Sequence, residues 1–347
     1  MNVDYIIVGS GLAGISFCEQ LVTHNKRFVV FDNSSQQSSL VAGGVYNPVV
    51  LKRFTPVWKC DEQLPLAMRQ YARLEVALGV KLDYKIPVYR KFASLEEQNN
   101  WFTASDNPGL SAYLSTSIEK NTNQHILAPY GYGKVLHSGR IDVKTLVNAY
   151  KKHLLDQGMI VEKAFDYDQL ITEDATLKYQ DIVAKHIVFA EGFGFKKNKF
   201  FEKLPISGTK GEHLTIHSPE LKLNGILKSG VFLIPIENDH YIVGATYNRE
   251  DKTHEVTEAA KQSLLKKLDT LITCPYKVVD QSAGIRPTVK DRRPLVGEHY
   301  RLKNHFILNG LGSRGVMIGP YAADKLFQYI ENNVPLDKEI DCNRFDY

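Results

Sequence analysis

Six residues near the start of the chain, Gly9-Ser10-Gly11-Leu12-Ala13-Gly14, and an acidic residue 23 positions after the first of them, Asp32, have the spacing of a dinucleotide-binding turn. The chemistry is that of a pyrophosphate held on bare backbone. The first glycine makes the tight turn, the second lets the chain approach the phosphates, and the third lets the following helix pack on the preceding strand. The amides that open that helix then meet the negative charge. Asp32 is expected to accept hydrogen bonds from the adenosine ribose hydroxyls, and because no arginine follows it to receive a 2′-phosphate, the ribose is expected to be unphosphorylated.

A second glycine cluster, Gly310-Leu311-Gly312-Ser313-Arg314-Gly315, stands between an apolar run and a helix, and Val316 and Met317 after it are counted with it as cofactor-binding. Only 32 residues follow it, and those from Val334 onward are too polar to supply the second strand of another nucleotide-binding unit. Its use is to bring bare backbone and a helix N-terminus against a different part of the same cofactor. An isoalloxazine ring needs that arrangement, since its reduction builds negative charge that a helix N-terminus stabilises. The two clusters together point to FAD rather than NAD.

Around these motifs the elements read as follows. The apolar run ending at Val8, a helix over Ile15 to His24 and the run Phe28 to Phe31 make a βαβ unit, whose continuous apolar strands indicate a parallel sheet covered on both faces. A helix is predicted from Glu62 to Leu78, stopping at Gly79, and another from Asp142 to Gln157, with Asp142 as N-cap and Gly158 as stop. Residues 80–133 read as short β-like pieces and Asn-rich turns. The parallel layer returns with Lys185 to Ala190, which places Ala190 and Gly192 beside the cofactor. Gly211 to Ile216, Val231 to Ile236 and Tyr241 to Ala245 read as antiparallel strands, followed by a helix from Val256 to Leu271. His305 to Leu308 is a strand and Tyr321 to Asn332 a helix. The expected fold class is α/β: a doubly wound, Rossmann-like FAD-binding domain from residues 1–80, 134–205 and 280–347, and a mostly antiparallel α+β substrate domain from residues 81–133 and 206–279.

Composition removes other classes. With 347 residues, a net charge of +4 and 43% hydrophobic content, the chain supports about two domains and is neither disordered nor fibrous. No apolar run is long enough to span a bilayer and a strand begins within the first few residues, so a soluble, cytoplasmic protein without a signal peptide is expected. Four cysteines stand far apart without a C-x-x-C pair, and the eleven histidines form no H-E-x-x-H motif, so free thiols and no metal are expected. No G-x-S-x-G elbow supports hydrolase chemistry.

The glycine clusters, together with Ala42-Gly43-Gly44 and Gly284-Ile285-Arg286-Pro287-Thr288 followed by Asp291 and Pro294, resemble the FAD-dependent D-amino-acid oxidase and glycine oxidase superfamily over nearly the whole chain. Within it, Gly312 to Gly315, Gly244-Ala245-Thr246-Tyr247 with Arg249 and Asp251, and Val45-Tyr46-Asn47-Pro48 are most similar to the FAD domain of the bacterial bifunctional enzyme that finishes methylaminomethyl-uridine in tRNA. The resemblance implies oxidation of a C–N bond by hydride transfer to flavin N5, with noncovalent FAD resting also on Ala42, Gly43 and Gly44. It implies that Arg286 clamps a substrate carboxylate, for which a guanidinium fork is well suited, with Arg314 as a second arginine. Where glycine oxidases carry a tyrosine this chain has Phe232, which packs but cannot donate, so Tyr247 becomes the candidate hydroxyl. Lys210 faces either the flavin, the substrate mouth or solvent. The leading expectation is a small amine or amino-acid substrate. One alternative is a tRNA substrate, which requires Lys52, Arg53, Lys210, Arg249 and Arg314 to converge at the mouth. The other is a flavin-binding protein without turnover, which gains support if Arg286 and Arg314 point away from the flavin.

Overall fold

The computed structural model describes residues 1–173 and 176–345. Residues 346 and 347, in the last segment assigned to the first domain, lie outside the described residues. Apolar strands collect at the centre of the first sheet, where Tyr5, Ile6, Ile7 and Val30 are fully buried. Asn2–Val8 pairs in parallel with Phe28–Phe31 on one side and with Ile182–Phe189 on the other. Ile182–Phe189 is shared along its other edge. Its first half pairs antiparallel with Thr176–Tyr179, and its second half pairs in parallel with His305–Asn309. Every parallel strand therefore ends at the same edge of the sheet, where Gly9, Asp32, Ala190 and Gly310 follow directly.

The helix Leu12–Thr23 leaves that edge and packs on the helix Gly315–Asn332, which in turn packs on Cys60–Leu78. Its approach to the sheet needs a bare residue at position 14, because a Cβ there would stand 1.9 Å from the Gly9 carbonyl oxygen. The last helix begins six residues earlier than the sequence suggests, with Pro320 inside it. Proline cannot donate to the carbonyl four residues back, which is that of Val316. The Tyr71 hydroxyl donates to this carbonyl instead, at 2.9 Å, so the helix runs on unbroken.

The second sheet has the strand order Lys277–Val289, Ile206–His217, His240–Gly244, Phe232–Pro235, Ile226–Lys228, Val88–Lys91, Tyr132–Val135, Leu114–Glu119. One face is covered by the helix Glu258–Asp269, whose Leu264 and Leu268 pack with Leu214, Leu233 and Val243. The other face carries Phe232, Ile234 and Ile242 toward the cleft described below.

Two expectations change here. Lys277–Val289 pairs along its length with Ile206–His217, so residues 280–289, read as part of the first domain, belong to the second sheet. Tyr132–Val135 likewise carries residues 134 and 135 into that sheet. These strands share register with their neighbours rather than with the parallel run, which no local pattern announces. The stretch read as Asn-rich turns holds a helix, Leu95–Ser105. Its start is held on both sides, since Ser94 accepts from the Glu97 amide at 3.2 Å while the Glu97 carboxylate accepts from the amide of Ala93, just before the cap, at 2.7 Å.

The close approach at Gly14 yields a test. Gly14→Ala should push the first helix off its strand, lowering unfolding stability by roughly 1–3 kcal/mol, the usual range for overpacking. Equal denaturation midpoints for the variant and the parent protein would contradict that packing.

Candidate active site

A cleft of ≈ 470 Å³ runs from the carboxyl edge of the parallel sheet to the exposed face of the second sheet. At one end Asp32 is held in place by its neighbours. Its Oδ2 accepts from the Ser10 amide at 2.5 Å and the Ser10 hydroxyl at 2.6 Å, and its Oδ1 accepts from the Ser34 amide at 2.5 Å. Oδ1, with a single bond, keeps lone-pair capacity for a ribose hydroxyl.

Two helix N-termini converge on the cleft. Neither Leu12–Thr23 nor Gly315–Asn332 has a side-chain cap on its N-cap residue or an acidic residue in its first turn, and both first turns line the cleft. Uncapped amides of this kind suit anionic groups. Gly9, at φ +102, lies so close to the next strand that a Cβ would meet the Ala190 carbonyl oxygen at 2.6 Å. A bare cradle, two helix N-termini and a carboxylate in one continuous cleft fit FAD. None of the four cysteines lines the cleft, and all are buried.

Between these ends sits a residue that no motif marks. Glu191 accepts hydrogen bonds from the Tyr167 hydroxyl and from Asn198 Nδ2, the latter at 2.7 Å. Burial pushes its carboxyl up to about 7, against hydrogen bonds that act the other way.

At the far end stands Arg286, whose guanidinium lies flat against bare backbone. A Cβ on Gly211 would come within 2.1 Å of its Nη2. Its Nη1 is sealed from solvent and has no hydrogen-bond partner among the described residues. Burial pulls its pKa down, yet a guanidinium stays protonated, so a desolvated and unpaired charge faces the cleft. Arg314 also lines the cleft, and burial first, then the nearby Arg292 charge, lowers its pKa. His213 Nε2 lies 2.6 Å from the Val41 carbonyl oxygen, which fixes the ring proton there and ties the second sheet to the Val41 to Gly44 loop.

Of the residues singled out in the sequence, Gly9, Ser10, Gly11, Leu12, Ala13, Asp32, Ala42, Gly43, Gly44, Ala190, Gly192, Gly312, Ser313, Arg314, Gly315, Val316 and Arg286 all line the cleft. Gly14, Gly310 and Met317 do not. Gly14 and Gly310 serve close packing, and Met317 is buried in the core, because it points from the helix toward the sheet rather than along its N-terminus. Tyr247 stands outside the lining, 61% exposed, with its ring 6.0 Å from the Arg286 guanidinium and 5.7 Å from that of Arg249.

Lys210 faces neither flavin, mouth nor solvent. It is 1% exposed, and its ammonium bonds Asp251 at 2.5 Å and Thr253 at 3.2 Å. Strand alternation explains the difference, since Gly211 and His213 point into the cleft and Lys210 and Glu212 point away from it. The sequence reading missed Ser38, Ser39, Phe165, Tyr167, Glu191, Gly211 and His213, all of them in the lining. Only Gly211 carried a signal, a glycine inside a strand, which marks close approach of another group.

Residues 4–328 match the FAD dependent oxidoreductase family, DAO. The chain belongs to the DAO family. It is an FAD-dependent oxidoreductase, and DAO relatives resemble it along most of its length. Glycine oxidase of Bacillus subtilis (strain 168) is 26% identical over 360 residues, which cover 95% of this chain and 94% of that one. The tRNA 5-methylaminomethyl-2-thiouridine biosynthesis bifunctional protein MnmC of Shewanella sediminis (strain HAW-EB3) is 27% identical over 202 residues, 46% of this chain but only 28% of the relative. The DAO chain therefore corresponds to well under two thirds of that bifunctional protein. Among solved structures, glycine oxidase from Geobacillus kaustophilus superposes with a TM-score of 0.82 at 18% identity, covering 100% of both chains. Among the described residues no helix is long and apolar enough to cross a membrane.

Two outcomes follow for the DAO cofactor cleft. Asp32→Ala should weaken FAD binding by roughly ten- to a hundredfold, the loss expected for charge-assisted hydrogen bonds, as read by fluorescence titration of the apoprotein. An unchanged dissociation constant would remove Asp32 from the ribose site. For Glu191, the folded protein keeps a proton up to about 7 that the unfolded chain releases near 4.5. Its contribution is complete below the lower value and is lost as pH rises through the higher one, so apoprotein stability should fall across that window. Glu191→Gln should flatten the fall in chemical denaturation curves, and an equally steep fall would contradict the assignment.

Proposed function

We propose that this enzyme oxidises the C–N bond of an amine or amino acid that carries a carboxylate, and that Arg286 clamps that carboxylate. The observation that carries the reading is the desolvated Arg286 guanidinium in the cleft wall, with Nη1 unpartnered and Gly211 as its floor. A buried cation without a partner is costly, and a bidentate carboxylate satisfies both its charge and its donors. FAD, when bound, supplies the hydride acceptor, and the chain supplies orientation and electrostatics.

Arg286 sets where the carboxylate sits and hence where the adjacent carbon lies. Phe232, Ile234 and Ile242 wall that space with apolar surface and keep water away from the reacting carbon. The amine must be neutral to release a hydride, and a second cation in the same cleft, Arg314, disfavours the ammonium form. Phe232 offers no hydroxyl to a small substrate, and the Tyr247 ring, at the mouth, meets whatever part of the substrate extends outward.

A second reading, a modified uridine in tRNA, draws support from the similarity to the bifunctional MnmC proteins and from the exposed Tyr247 beside Arg249. The basic convergence that this reading needs is weakened, because Lys210 is buried and spent on Asp251. A small carboxylated amine is the better fit. The reading without turnover gains no support, since Arg286 and Arg314 both line the cleft.

The test compares two substrates. Arg286→Lys and Arg286→Ala should keep bound FAD while slowing anaerobic flavin reduction by a carboxylated amine, with an energetic loss of about 2–5 kcal/mol for the alanine variant. Lysine should rescue poorly, since a point charge does not reproduce the planar fork. Reduction by the decarboxylated amine should change much less. Equal slowing with both amines, in variants that stay folded and yellow, would overturn the clamp, and reduction by modified tRNA but by no free amine would favour the second reading.

A further inference from the structure

The second sheet lays out its cleft-facing side chains in a row across the strands. His213 pairs with Gly244, Gly244 with Phe232, Phe232 with Lys228, and Lys228 with Arg90. Directly opposed residues in neighbouring strands share a face, so these residues form one continuous line. His213, Gly244 and Phe232 line the cleft. Lys228 is the next residue along it, with its ammonium 4.4 Å from the Phe232 ring centroid.

The surroundings of Lys228 are unusual for a lysine. It is half-buried, and no hydrogen bond or ion pair to its ammonium exists among the described residues. The like charges of Arg90 and Lys267 act on it, and the first of these is itself paired with Glu97. Arg90 is already spent, since its Nε and Nη2 donate to Glu97 Oε1 at 2.8 and 2.6 Å. A partly desolvated cation held among like charges lowers the stability of the empty protein, and an incoming anion relieves that penalty.

We propose that Lys228 binds a second carboxylate, carried at the distal end of a substrate whose first carboxylate is held by Arg286. The proposal deepens the reading of Arg286 as a clamp and rests on it. Gly211, which floors Arg286, and Lys228 lie three strands apart and two residues apart along them, so at ~4.8 Å per strand and ~3.3 Å per residue the two positions are on the order of 16 Å apart. The substrate class is thus an extended amine with a carboxylate at each end, its apolar middle lying along Phe232. One unpaired ammonium matches one singly charged carboxylate. Burial beside Arg90 and Lys267 pulls the Lys228 ammonium down to about 8, and pairing with an anion would raise it again.

The experiment uses the FAD-loaded protein and unreactive ligands, read by perturbation of the flavin absorbance. Linear dicarboxylates of increasing length are titrated beside monocarboxylates of the same length. The wild-type protein should bind one length class of dicarboxylate about tenfold or more tighter than the matching monocarboxylate, as a close charge pair allows. In Lys228→Met, which keeps the apolar contact with Phe232, that preference should vanish while monocarboxylate affinity is unchanged, and Lys228→Arg should restore it. Flavin content and thermal midpoint verify that each variant is folded. A wild-type protein without a dicarboxylate preference, a preference that survives in Lys228→Met, or equal weakening of both ligand series would overturn the role of Lys228 and leave Arg286 as the clamp. Monocarboxylates that bind equally well to wild type and Arg286→Ala would instead remove the clamp, and the proposal with it.

Discussion

The site depends on one contact, a guanidinium laid against a glycine. Arg286 reaches the cleft only because Gly211, on the neighbouring strand, has no side chain in its way. The strand supplies a flat floor, burial strips water from the charge, and no acidic group among the described residues neutralises it. An arginine left in that state is poised for a planar anion. Gly211 is therefore as much a part of the site as the arginine, and a methyl group there would displace the guanidinium.

The rest of the architecture delivers partners to that contact. The parallel sheet ends all its strands on one edge, so Gly9, Asp32 and Ala190 converge without any long connection. Two helices then bring N-termini without a capping N-cap side chain to the same cleft, the Leu12 amide of the first donating to the Ser39 hydroxyl. The second sheet turns its bare and apolar residues toward the cleft and its charged residues, Lys210 and Glu212, away from it. The Lys210 contacts with Asp251 and Thr253 strap the segment bearing Tyr247 and Arg249 to the back of the strand that floors Arg286. Charge that might be expected at the mouth thus works as structure.

The sequence was legible where chemistry demands a local pattern. The first glycine turn needs its strand, helix and acidic residue at fixed offsets, and Gly9 through Asp32 display all of them. It was less legible where register decides. Whether Lys210 or Gly211 faces the cleft is a matter of one residue in a period of two, and both are small steps in a strand that carries glycine, lysine and glutamate side by side. Helix boundaries failed where a tertiary contact overrides a local rule, as when Tyr71 takes the carbonyl that Pro320 leaves free. Glu191 and His213 were invisible because their partners, Tyr167 and Val41, come from distant segments. Lys228 carries no local signal, because its setting depends on neighbours across the sheet.

The central claim is that Arg286 reads a carboxylate in front of the flavin. The most direct measurement is a crystal structure of the FAD-loaded enzyme with an unreactive carboxylate analogue. The account predicts both carboxylate oxygens within hydrogen-bond distance of the Arg286 guanidinium, with Gly211 still beneath it and the ligand against Phe232. A carboxylate bound to Arg314 or Arg249 alone, with Arg286 still unpaired, would contradict it.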